Sequence, residues 1–370
     1  MTGAALILNA GSSSIKFALF PEADGDAPML TGAVERIAGD AVLHVSPKGA
    51  ERQSTPIDAP DHAASLRAIA GALGDQNITA VGHRIVHGGP DFTAPVEIDD
   101  AVLDALQAIV HLAPLHLPQA LDGIRATRRL YPVARQVAAF DTAFHAEKPW
   151  LHDSFALPTA MYDEGVRRYG FHGISCQSIL RGLHAEGLAL DTTKIVIAHL
   201  GNGCSMTAVR GGRCHATSMG FSTLDGLVMG TRSGRIDPGV LLHWLRAGKS
   251  GDEIEQILYH RSGLLGLSGL SNDVRDLEAS DDPNARRAID SFVARAVEEA
   301  CRLAGTMGGL DMVVFCGGIG ENADMLRDRI MDGLAFLPGA DGSGPKALVR
   351  ATREEHEILC AVRATTLHVR

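Results

Sequence analysis

The sequence predicts an α/β protein built from two domains. A chain of 370 residues is longer than one hydrophobic core usually supports. Two segments, one in each half of the chain, have the pattern strand, loop of small residues, strand, which indicates an internal duplication. Predicted strands and helices also mix along the whole chain, as in the α/β class. From the duplication we place the boundary between the domains near residue 145.

The first of these segments lies at the start of the chain. The apolar run Ala4–Asn9 predicts a strand, and Ile15–Phe20 has the two-residue period of a second one. The loop between them, Ala10–Ser14, contains one glycine and three serines. Because the gap is so short, we expect the two strands to form an antiparallel hairpin.

The second segment repeats this order near the middle of the chain. Lys194–Leu200 predicts an apolar strand, Gly201–Ser205 a loop of small residues, and Met206–Val209 a further strand. The two segments therefore predict one hairpin for each domain.

The clearest helix begins after Pro283 and ends before Gly308, because a pair of glycines follows the apolar pattern. A strand at Leu310–Cys316, a loop at Gly317–Gly320 and the start of another helix at Glu321 are predicted next. The apolar positions of the long helix follow the i, i+3, i+4 rule: Ile289, Phe292, Val293, Ala296, Val297, Ala300 and Ala304.

Composition and charge argue against several classes of protein. A net charge of −10 disfavours nucleic acid as the main partner. The sequence lacks an 18-residue apolar run and a basic leader, which predicts a cytoplasmic protein without a membrane partner. Its six cysteines form no Cys-x-x-Cys pair, so neither a zinc knuckle nor a thioredoxin-type motif is expected.

Two glycine-containing segments can be compared with standard nucleotide-binding motifs. A Walker loop requires Gly-x₄-Gly-Lys-Ser/Thr. Gly248-Lys249-Ser250 matches its end, but His243 stands at the position of its first glycine, so the motif is not present there. The segment Gly318–Ala323 does fit a dinucleotide-binding loop after a strand and before a helix. No second strand ending in an acidic residue follows about 20 residues later, but a dehydrogenase remains an alternative.

Two polar loops are candidates for phosphate binding. Backbone N–H groups of the Asn9–Ser14 loop can face phosphate oxygens, with Lys16 close by in sequence, although an ordinary polar turn has the same composition. The glycines of the His199–Gly203 loop permit close approach of the backbone, but Asn-Gly is also the commonest hairpin turn.

Single charged residues among glycines form a further group of candidates. Arg84 lies between His83 and His87, and its planar fork suits a carboxylate or a phosphate, although a surface ion pair is the commoner fate of a lone arginine. Asp141 follows a small apolar run, a position typical of a metal ligand, a catalytic acid or a helix cap. Arg168–Gly173 and Gly230–Gly234 also place cationic or titratable residues among glycines.

Taken together and in this order, the motifs resemble those of the acetokinase family, which includes acetate, propionate and butyrate kinases. The resemblance extends from Leu6 to about Glu355. Seven motifs carry it: Asn9–Lys16, Gly82–Gly89, Phe140–His145, Arg168–Gly173, His199–Gly203, Met229–Gly234 and Gly318–Asn322.

The resemblance implies a fold as well as an activity. It implies two duplicated ribonuclease-H-like α/β domains of the sugar kinase/Hsp70/actin superfamily, with an interdomain nucleotide cleft. The domains would comprise residues 1–145, rejoined by the tail at about 357–370, and residues 146–356, which would bind nucleotide and form the dimer. A homodimer is likewise implied by the family.

The resemblance also implies roles for individual residues. Mg²⁺, with Mn²⁺ as a substitute, would be held by Asn9 and Glu354. Catalysis would depend on Arg84, Asp141, His172 and Arg232. The carboxylate would bind Arg84, with Val86, Leu115, Phe171 and Thr223 around its methyl group. ATP or ADP would contact Lys16, His199, Leu200, Gly201, Asn202, Gly203, Asp273, Val274, Arg275, Gly318, Ile319, Gly320, Glu321 and Asn322.

These residue types suit transfer of the ATP γ-phosphoryl group to acetate. The transferring group spreads negative charge over its oxygens, which fixed cations stabilise. Acetate is already ionised at neutral pH, so no general base is needed. We therefore expect Asp141 to orient metal-bound water or Arg84 instead of removing a proton.

Departures from the family pattern bear on the choice of acid and of metal ligand. Leu117 stands where the family has asparagine, and Thr223 where it has a proline that walls the methyl pocket. Glu354 and Glu355 both remain candidates for the metal. Propionate or butyrate kinase activity stays an alternative, since one methylene changes binding by about 1–3 kcal/mol. A nucleotide-gated clamp of the Hsp70/actin kind, without an acceptor, is the alternative from another class.

Overall fold

A computed structural model describes residues 3–11, 13–22, 25–339 and 342–367. Ser12 of the first predicted loop and residues 368–370 of the predicted tail lie outside these ranges. The described residues divide into two compact units, one within residues 1–144 and 353–370 and the other within residues 145–352. The domain bounds given above, residues 1–145 with about 357–370 and residues 146–356, stay a prediction. No helix in the described part of the chain is both long and apolar enough to cross a membrane.

The strands, numbered in chain order, are β1 (Ala4–Ala10), β2 (Ser14–Pro21), β3 (Leu30–Glu35), β4 (Val42–Pro47), β5 (Gln53–Pro56), β6 (Ile78–Ile85), β7 (Val96–Glu97), β8 (Arg135–Phe140), β9 (Ile195–Leu200), β10 (Cys204–Arg210), β11 (Arg213–Thr217), β12 (Met312–Cys316) and β13 (Lys346–Val349).

The α-helices are α1 (His62–Leu73), α2 (Asp100–Ala108), α3 (Leu117–Leu130), α4 (Trp150–Asp153), α5 (Thr159–Asp163), α6 (Gly173–Ala185), α7 (Pro238–Arg246), α8 (Gly251–His260), α9 (Gly263–Ser268), α10 (Val274–Glu278), α11 (Pro283–Met307), α12 (Gly317–Asn322), α13 (Asp324–Leu334) and α14 (Glu354–Leu367). Short 3₁₀ turns occur at Val110–Leu112 and Ala143–His145.

The first unit is built on one mixed sheet with the order β5-β4-β3-β2-β1-β6-β8-β7. The predicted hairpin is confirmed, since β1 and β2 pair antiparallel with Asn9 opposite Lys16. Strands β1, β6 and β8 run parallel, so their carboxyl ends lie at the same edge of the sheet. This edge receives the candidate residues Asn9, Arg84 and Asp141.

Helices cover both faces of this sheet. On one face, Leu6, Leu8 and Phe17 belong to a buried cluster with Leu66 and Ile69 of α1. On the other face, α14 packs so closely that a methyl group on Gly82 would meet Ile358 and Val362 of that helix at 2.7 and 2.8 Å. Glycine at position 82 thus brings α14, and with it Glu354, close to the sheet.

The second unit has a five-stranded sheet with the order β11-β10-β9-β12-β13. The second predicted hairpin is also confirmed, because β9 and β10 pair antiparallel with Leu200 opposite Cys204. The predicted long helix is α11, and it ends at Gly308 with a φ of 69°. These agreements confirm the predicted α/β class, since each unit combines helices with a sheet of parallel and antiparallel strands.

One local prediction was wrong. Gly317–Gly320 was expected to be a loop, but this segment forms the first four of the six residues of helix α12. Side chains offset the low helix propensity of its glycines, because Glu321 accepts a hydrogen bond from the Gly317 N–H at 3.1 Å and Asn322 donates one to the Gly318 carbonyl at 2.8 Å. Gly317 itself has a φ of 77°, and a methyl group there would lie 2.6 Å from the Leu200 carbonyl oxygen.

Candidate active site

The first unit holds a chain of four polar side chains at the carboxyl edge of its parallel strands. Arg84 donates from Nε and Nη2 to the Asp141 carboxylate, with the shortest contact 2.6 Å, and from Nη1 to Asn9 Oδ1 at 3.0 Å. Asn9 Nδ2 in turn donates to Glu354 Oε2 at 2.7 Å. Carboxyl edges of parallel strands are the usual place for ligands in α/β sheets, so this network is a candidate site.

The backbone explains why these residues meet. Asn9 lies near the end of β1, Arg84 near the end of β6, and Asp141 follows β8 directly. The Asp141 N–H donates to the Ile85 carbonyl at 2.9 Å, which continues the strand pairing and holds the aspartate in place. Glu354 is the first residue of α14, which packs against this sheet. Glu354 is therefore the glutamate that contacts Asn9.

Burial and charge both act on the arginine–aspartate pair. The side chains of Arg84 and Asp141 are 18% and 2% exposed. Burial raises the pKa of Asp141, and the charge of Arg84 opposes that change. Burial acts to lower the pKa of Arg84, but the negative charges of Asp141 and Glu354 outweigh it and raise the pKa above its usual value. The arginine therefore remains a cation.

The neighbouring motif residues of the first unit have different environments. His83 is buried against Gln136, with its Nε2 2.8 Å from Oε1, and burial lowers its pKa to about 4. Val86 is buried and Leu115 is half-buried. Leu117 is fully buried in a core cluster, so the departure noted there is a change of core packing. Lys16 is exposed on β2.

The second unit holds a separate group around His172 and Arg232. The carbon that would be Cβ of Gly203 lies 3.6 Å from both Arg232 Nη1 and His172 Nε2, so both side chains pack against this glycine. His172 Nδ1 is 2.9 Å from the Ser205 hydroxyl, and its ring stacks on His199 with centroids 4.2 Å apart. A loop glycine thus gives two basic side chains room to meet.

His172 has an uncommon backbone conformation, and Arg232 lacks a nearby described carboxylate. His172 has a φ of 58°, a left-handed conformation that costs energy for a residue other than glycine. Arg232 has no carboxylate within ion-pair distance among the residues that the structure describes, and its Nη1 donates to the Thr223 carbonyl at 3.4 Å. Burial lowers the pKa of Arg232. A half-buried cation with no described carboxylate within ion-pair distance suits a ligand that brings negative charge.

Phe171 precedes His172 and is 2% exposed, and its carbonyl accepts a hydrogen bond from His145 Nε2 at 2.9 Å. Burial, and then the charge of Lys148, lower the pKa of His145 to about 3. A neutral His145 therefore fixes the backbone just before His172.

A pocket of about 540 Å³ lies within the second unit, where three backbone segments meet. It is lined by residues predicted to contact nucleotide: Gly201, Asn202, Asp273, Val274, Arg275, Gly318, Ile319 and Asn322. Asn272, Glu278 and Ala323 line it as well, although the sequence did not single them out.

Other predicted nucleotide residues of the second unit lie next in sequence to the residues that line this pocket. Leu200 and Gly320 are buried. The Glu321 side chain accepts a hydrogen bond from the Gly317 N–H. A methyl group on Gly318 would meet nothing within 4 Å, so its backbone faces open space. Arg275 pairs with Asp273 at 2.5 Å, and that side-chain hydrogen bond lowers the pKa of Asp273 to about 2.

Comparisons with known proteins agree with the motifs. The model of the acetokinase family matches residues 4–356. Acetate kinase from Methylocella silvestris is 47% identical over 91% of this chain and 88% of its own length. Acetate kinase from Nitrobacter hamburgensis is 45% identical over 90% of this chain and 85% of its own length.

Solved structures give the same result. Acetate kinase from Porphyromonas gingivalis has a TM-score of 0.87 and 34% identity, covering 98% of this chain and 100% of its own. A propionate kinase from Francisella tularensis has the same score and identity, covering 97% of this chain and 98% of its own. The fold and the motifs define an α/β carboxylate kinase. The chain belongs to the acetokinase family. This membership decides against the dehydrogenase and the clamp alternatives.

Proposed function

We propose that the protein transfers the γ-phosphoryl group of ATP to acetate, reversibly, giving acetyl phosphate and ADP. The bond from the γ-phosphorus to the bridging oxygen breaks, and a bond from that phosphorus to an acetate oxygen forms. The observation that carries this proposal is the hydrogen bonding of Arg84.

Arg84 has the right number of donors left for a carboxylate. A guanidinium offers five N–H groups. Asp141 takes the Nε donor and one on Nη2, and Asn9 takes one on Nη1. One N–H therefore remains on each Nη, which is the number that a carboxylate accepts in a bidentate pair. Asp141 and Asn9 would hold this fork in a fixed orientation.

This role assigns Asp141 to positioning rather than proton transfer. Acetate carries no proton to remove at neutral pH, since a carboxyl pKa lies near 4. The aspartate is buried and fully engaged with Arg84. Its charge would keep the guanidinium oriented for substrate, as expected from the sequence.

The pocket of the second unit suits the nucleotide. Its glycine backbones approach closely, because the carbon that would be Cβ of Gly201 lies 3.8 Å from the Gly318 nitrogen. Side chains and backbone of the Asp273–Arg275 segment would bind the other side of ATP. We also assign Lys16 to the phosphates, on the resemblance of its motif.

Arg232 and His172 would stabilise the charge of the group in transfer. Equatorial oxygens of a transferring phosphoryl group carry spread negative charge, and positioned cations or N–H donors lower its energy. Arg232 is a half-buried cation without a carboxylate partner in the described ranges, which leaves its charge available. His172 would act as an N–H donor held by Ser205 and by its left-handed backbone.

The chemistry of Asn9 and Glu354 fits a magnesium ion. Both offer side-chain oxygens, the ligand type that Mg²⁺ prefers, and the two side chains are adjacent, since Asn9 Nδ2 lies 2.7 Å from Glu354 Oε2. Mg²⁺ commonly uses one or two protein ligands and fills its other positions with water and phosphate. A bound Mg²⁺, or Mn²⁺ in its place, would neutralise phosphate charge. The contact with Asn9 favours Glu354 over Glu355 as the ligand.

Acetate is the preferred acid in this proposal, with propionate and butyrate as the alternatives. The curated relatives named above are acetate kinases, and a propionate kinase shares the fold equally well. Val86, Leu115, Phe171 and Thr223 are the residues we assign to the methyl pocket. Because a methylene changes binding by about 1–3 kcal/mol, this pocket sets a preference and does not exclude the longer acids.

We further propose a cytoplasmic homodimer with small molecules as its ligands. Helix α7 contains no buried residue, and its Leu242 and Leu245 side chains are 50% and 51% exposed. An exposed apolar helix face of this kind suits contact with a second copy. Light scattering that gives the mass of one chain at micromolar concentration would contradict the dimer.

Trapping of the product tests the function. The protein is incubated with Mg-ATP and acetate, propionate, butyrate or formate, and acyl phosphate is trapped with hydroxylamine. We expect acetate to give the highest kcat/KM and formate the lowest. No trapped product from any acid would overturn the proposal, whereas a higher value for propionate would move it to the alternative.

A further inference from the structure

A group of side chains of the types that ligate metals lies on α14, beginning two residues after Glu354. His356 and Cys360 are four residues apart, and Glu357 and Cys360 are three apart, so all three point to neighbouring parts of the helix surface. One ligand atom from each lies within 4.8 Å of the other two. The three side chains are an imidazole, a thiol and a carboxylate, the ligand types of a zinc site.

The spacing of the histidine and cysteine ligand atoms is close to what a tetrahedral ion requires. With Zn–S near 2.3 Å and Zn–N near 2.0–2.1 Å, neighbouring ligand atoms lie about 3.4–3.6 Å apart. His356 Nδ1 is 3.9 Å from Cys360 Sγ. A contraction of a few tenths of an ångström would therefore complete that edge of the site, which small side-chain rotations supply.

The outer nitrogen of the histidine provides a second, independent observation. His356 Nε2 is buried and lies 3.4 Å from Asp26 Oδ1, within ion-pair distance of that carboxylate. Histidines that bind metal usually donate their other N–H to a carboxylate. The pair His356–Asp26 has this arrangement when Nδ1 faces the metal.

Burial and access also suit a bound ion. His356 and Glu357 are buried, and Cys360 is half-buried, so the cluster is shielded but can be reached from the side of the thiol. Asp26 accepts a hydrogen bond from Arg363 at 3.1 Å, which keeps its carboxylate ionised beside the histidine. Arg363 thus holds the carboxylate that faces His356.

We propose that His356, Glu357 and Cys360 bind a zinc-type divalent cation, with Asp26 as the outer partner of His356. The thiolate and the imidazole favour Zn²⁺ or Co²⁺ over Mg²⁺, which prefers oxygen ligands. The site is therefore distinct in chemistry from the Asn9–Glu354 pair. A fourth position is left for water.

Cobalt is the probe for this site, because thiolate ligation gives Co²⁺ a charge-transfer absorption band that oxygen ligation lacks. The tag-free, metal-stripped protein is titrated with CoCl₂ and the spectrum is recorded. We expect one equivalent to develop the band and ZnCl₂ to abolish it. Absence of the band in the folded wild-type protein would overturn the proposal.

Matched cysteine variants identify the ligand. Cys360→Ser should lose the band, whereas Cys301→Ser, which changes another half-buried cysteine, should keep it. Circular dichroism and the activity with Mg-ATP show whether each variant is folded. A band that persists in Cys360→Ser would overturn the proposal.

The outer partner gives a test that leaves all three ligands in place. Asp26→Asn should weaken Zn²⁺ binding by about 10- to 100-fold, measured by competition with a chromophoric chelator. Unchanged affinity in this variant would remove Asp26 from the site. A variant His356→Gln that binds Zn²⁺ as tightly as the wild type would refute the site itself.

Discussion

Replacement of Asp141 by asparagine tests how Arg84 is held. Asparagine has nearly the same shape, but it removes the charge opposite a guanidinium that is only 18% exposed. Loss of one partner from a buried ion pair costs about 3–5 kcal/mol. Because asparagine keeps one acceptor oxygen and Arg84 keeps some contact with water, we expect a loss of about 2–3 kcal/mol in the free energy of unfolding.

The same substitution should impair catalysis more than ATP binding. Asparagine presents an N–H₂ group where Asp141 presents oxygen, so the guanidinium loses a hydrogen bond and its fork turns. A displacement of about 1 Å at a positioned group lowers rates about 10²-fold. We therefore expect kcat/KM for acetate to fall by at least about 10²-fold, with a small change in the KM for ATP.

Urea unfolding and the hydroxylamine assay measure the two effects. Asp100→Asn is the matched control, because Asp100 pairs with Arg128 at 2.7 Å but is 92% exposed. An exposed pair contributes at most about 1 kcal/mol, so this control should unfold and turn over like the wild type. An Asp141→Asn variant with near-normal stability and turnover would refute the buried ion pair as the support of Arg84.

Three further predictions follow from the second unit. Arg232→Lys should lower kcat about 10²-fold with the fold intact, since lysine lacks the planar fork, and initial rates at saturating ATP and acetate measure this. Gly318→Ala should raise the KM for ATP without loss of stability, because its new methyl group enters the open space of the pocket. Gly317→Ala should instead lower the melting temperature, because its methyl group meets the Leu200 carbonyl. Equal melting temperatures for the two variants would refute this contrast. The neutral His145 has a folded pKa of about 3, below its unfolded value near 6.5, so its contribution to the free energy of unfolding is complete above pH 6.5 and is lost as the pH falls. Between pH 6.5 and 5 the free energy of unfolding should fall by up to about 2 kcal/mol for this reason. Urea unfolding across this pH range should show a shallower slope for His145→Gln.

Strands and hairpins were the part of the fold that the sequence predicted best. Runs of apolar residues with a period of two are visible locally, and each ended at a loop of small residues. Helix α12 was missed because a run of glycines has low helix propensity, and the side chains of Glu321 and Asn322 that support it act across a turn. Local propensity does not include such contacts.

The candidate site was predicted as a list of residues but not as a set of contacts. Motif order selected Arg84, Asp141 and Asn9, yet the hydrogen bonds among them depend on strands that lie far apart in sequence. Glu278 of the pocket has no distinctive local pattern, and Ser205 belongs to a predicted loop whose pattern does not indicate contact with His172. Only the packing of the folded chain brings these two residues to the site.

Phosphorus NMR of the reaction mixture tests the central claim most directly. With Mg-ATP and acetate, the γ-phosphate signal of ATP should decline while an acetyl phosphate signal rises in equal amount, and neither change should occur without acetate. Arg84→Ala should abolish the transfer, because the donors for the carboxylate are gone. Release of inorganic phosphate in place of acetyl phosphate, or equal transfer by Arg84→Ala, would contradict the account.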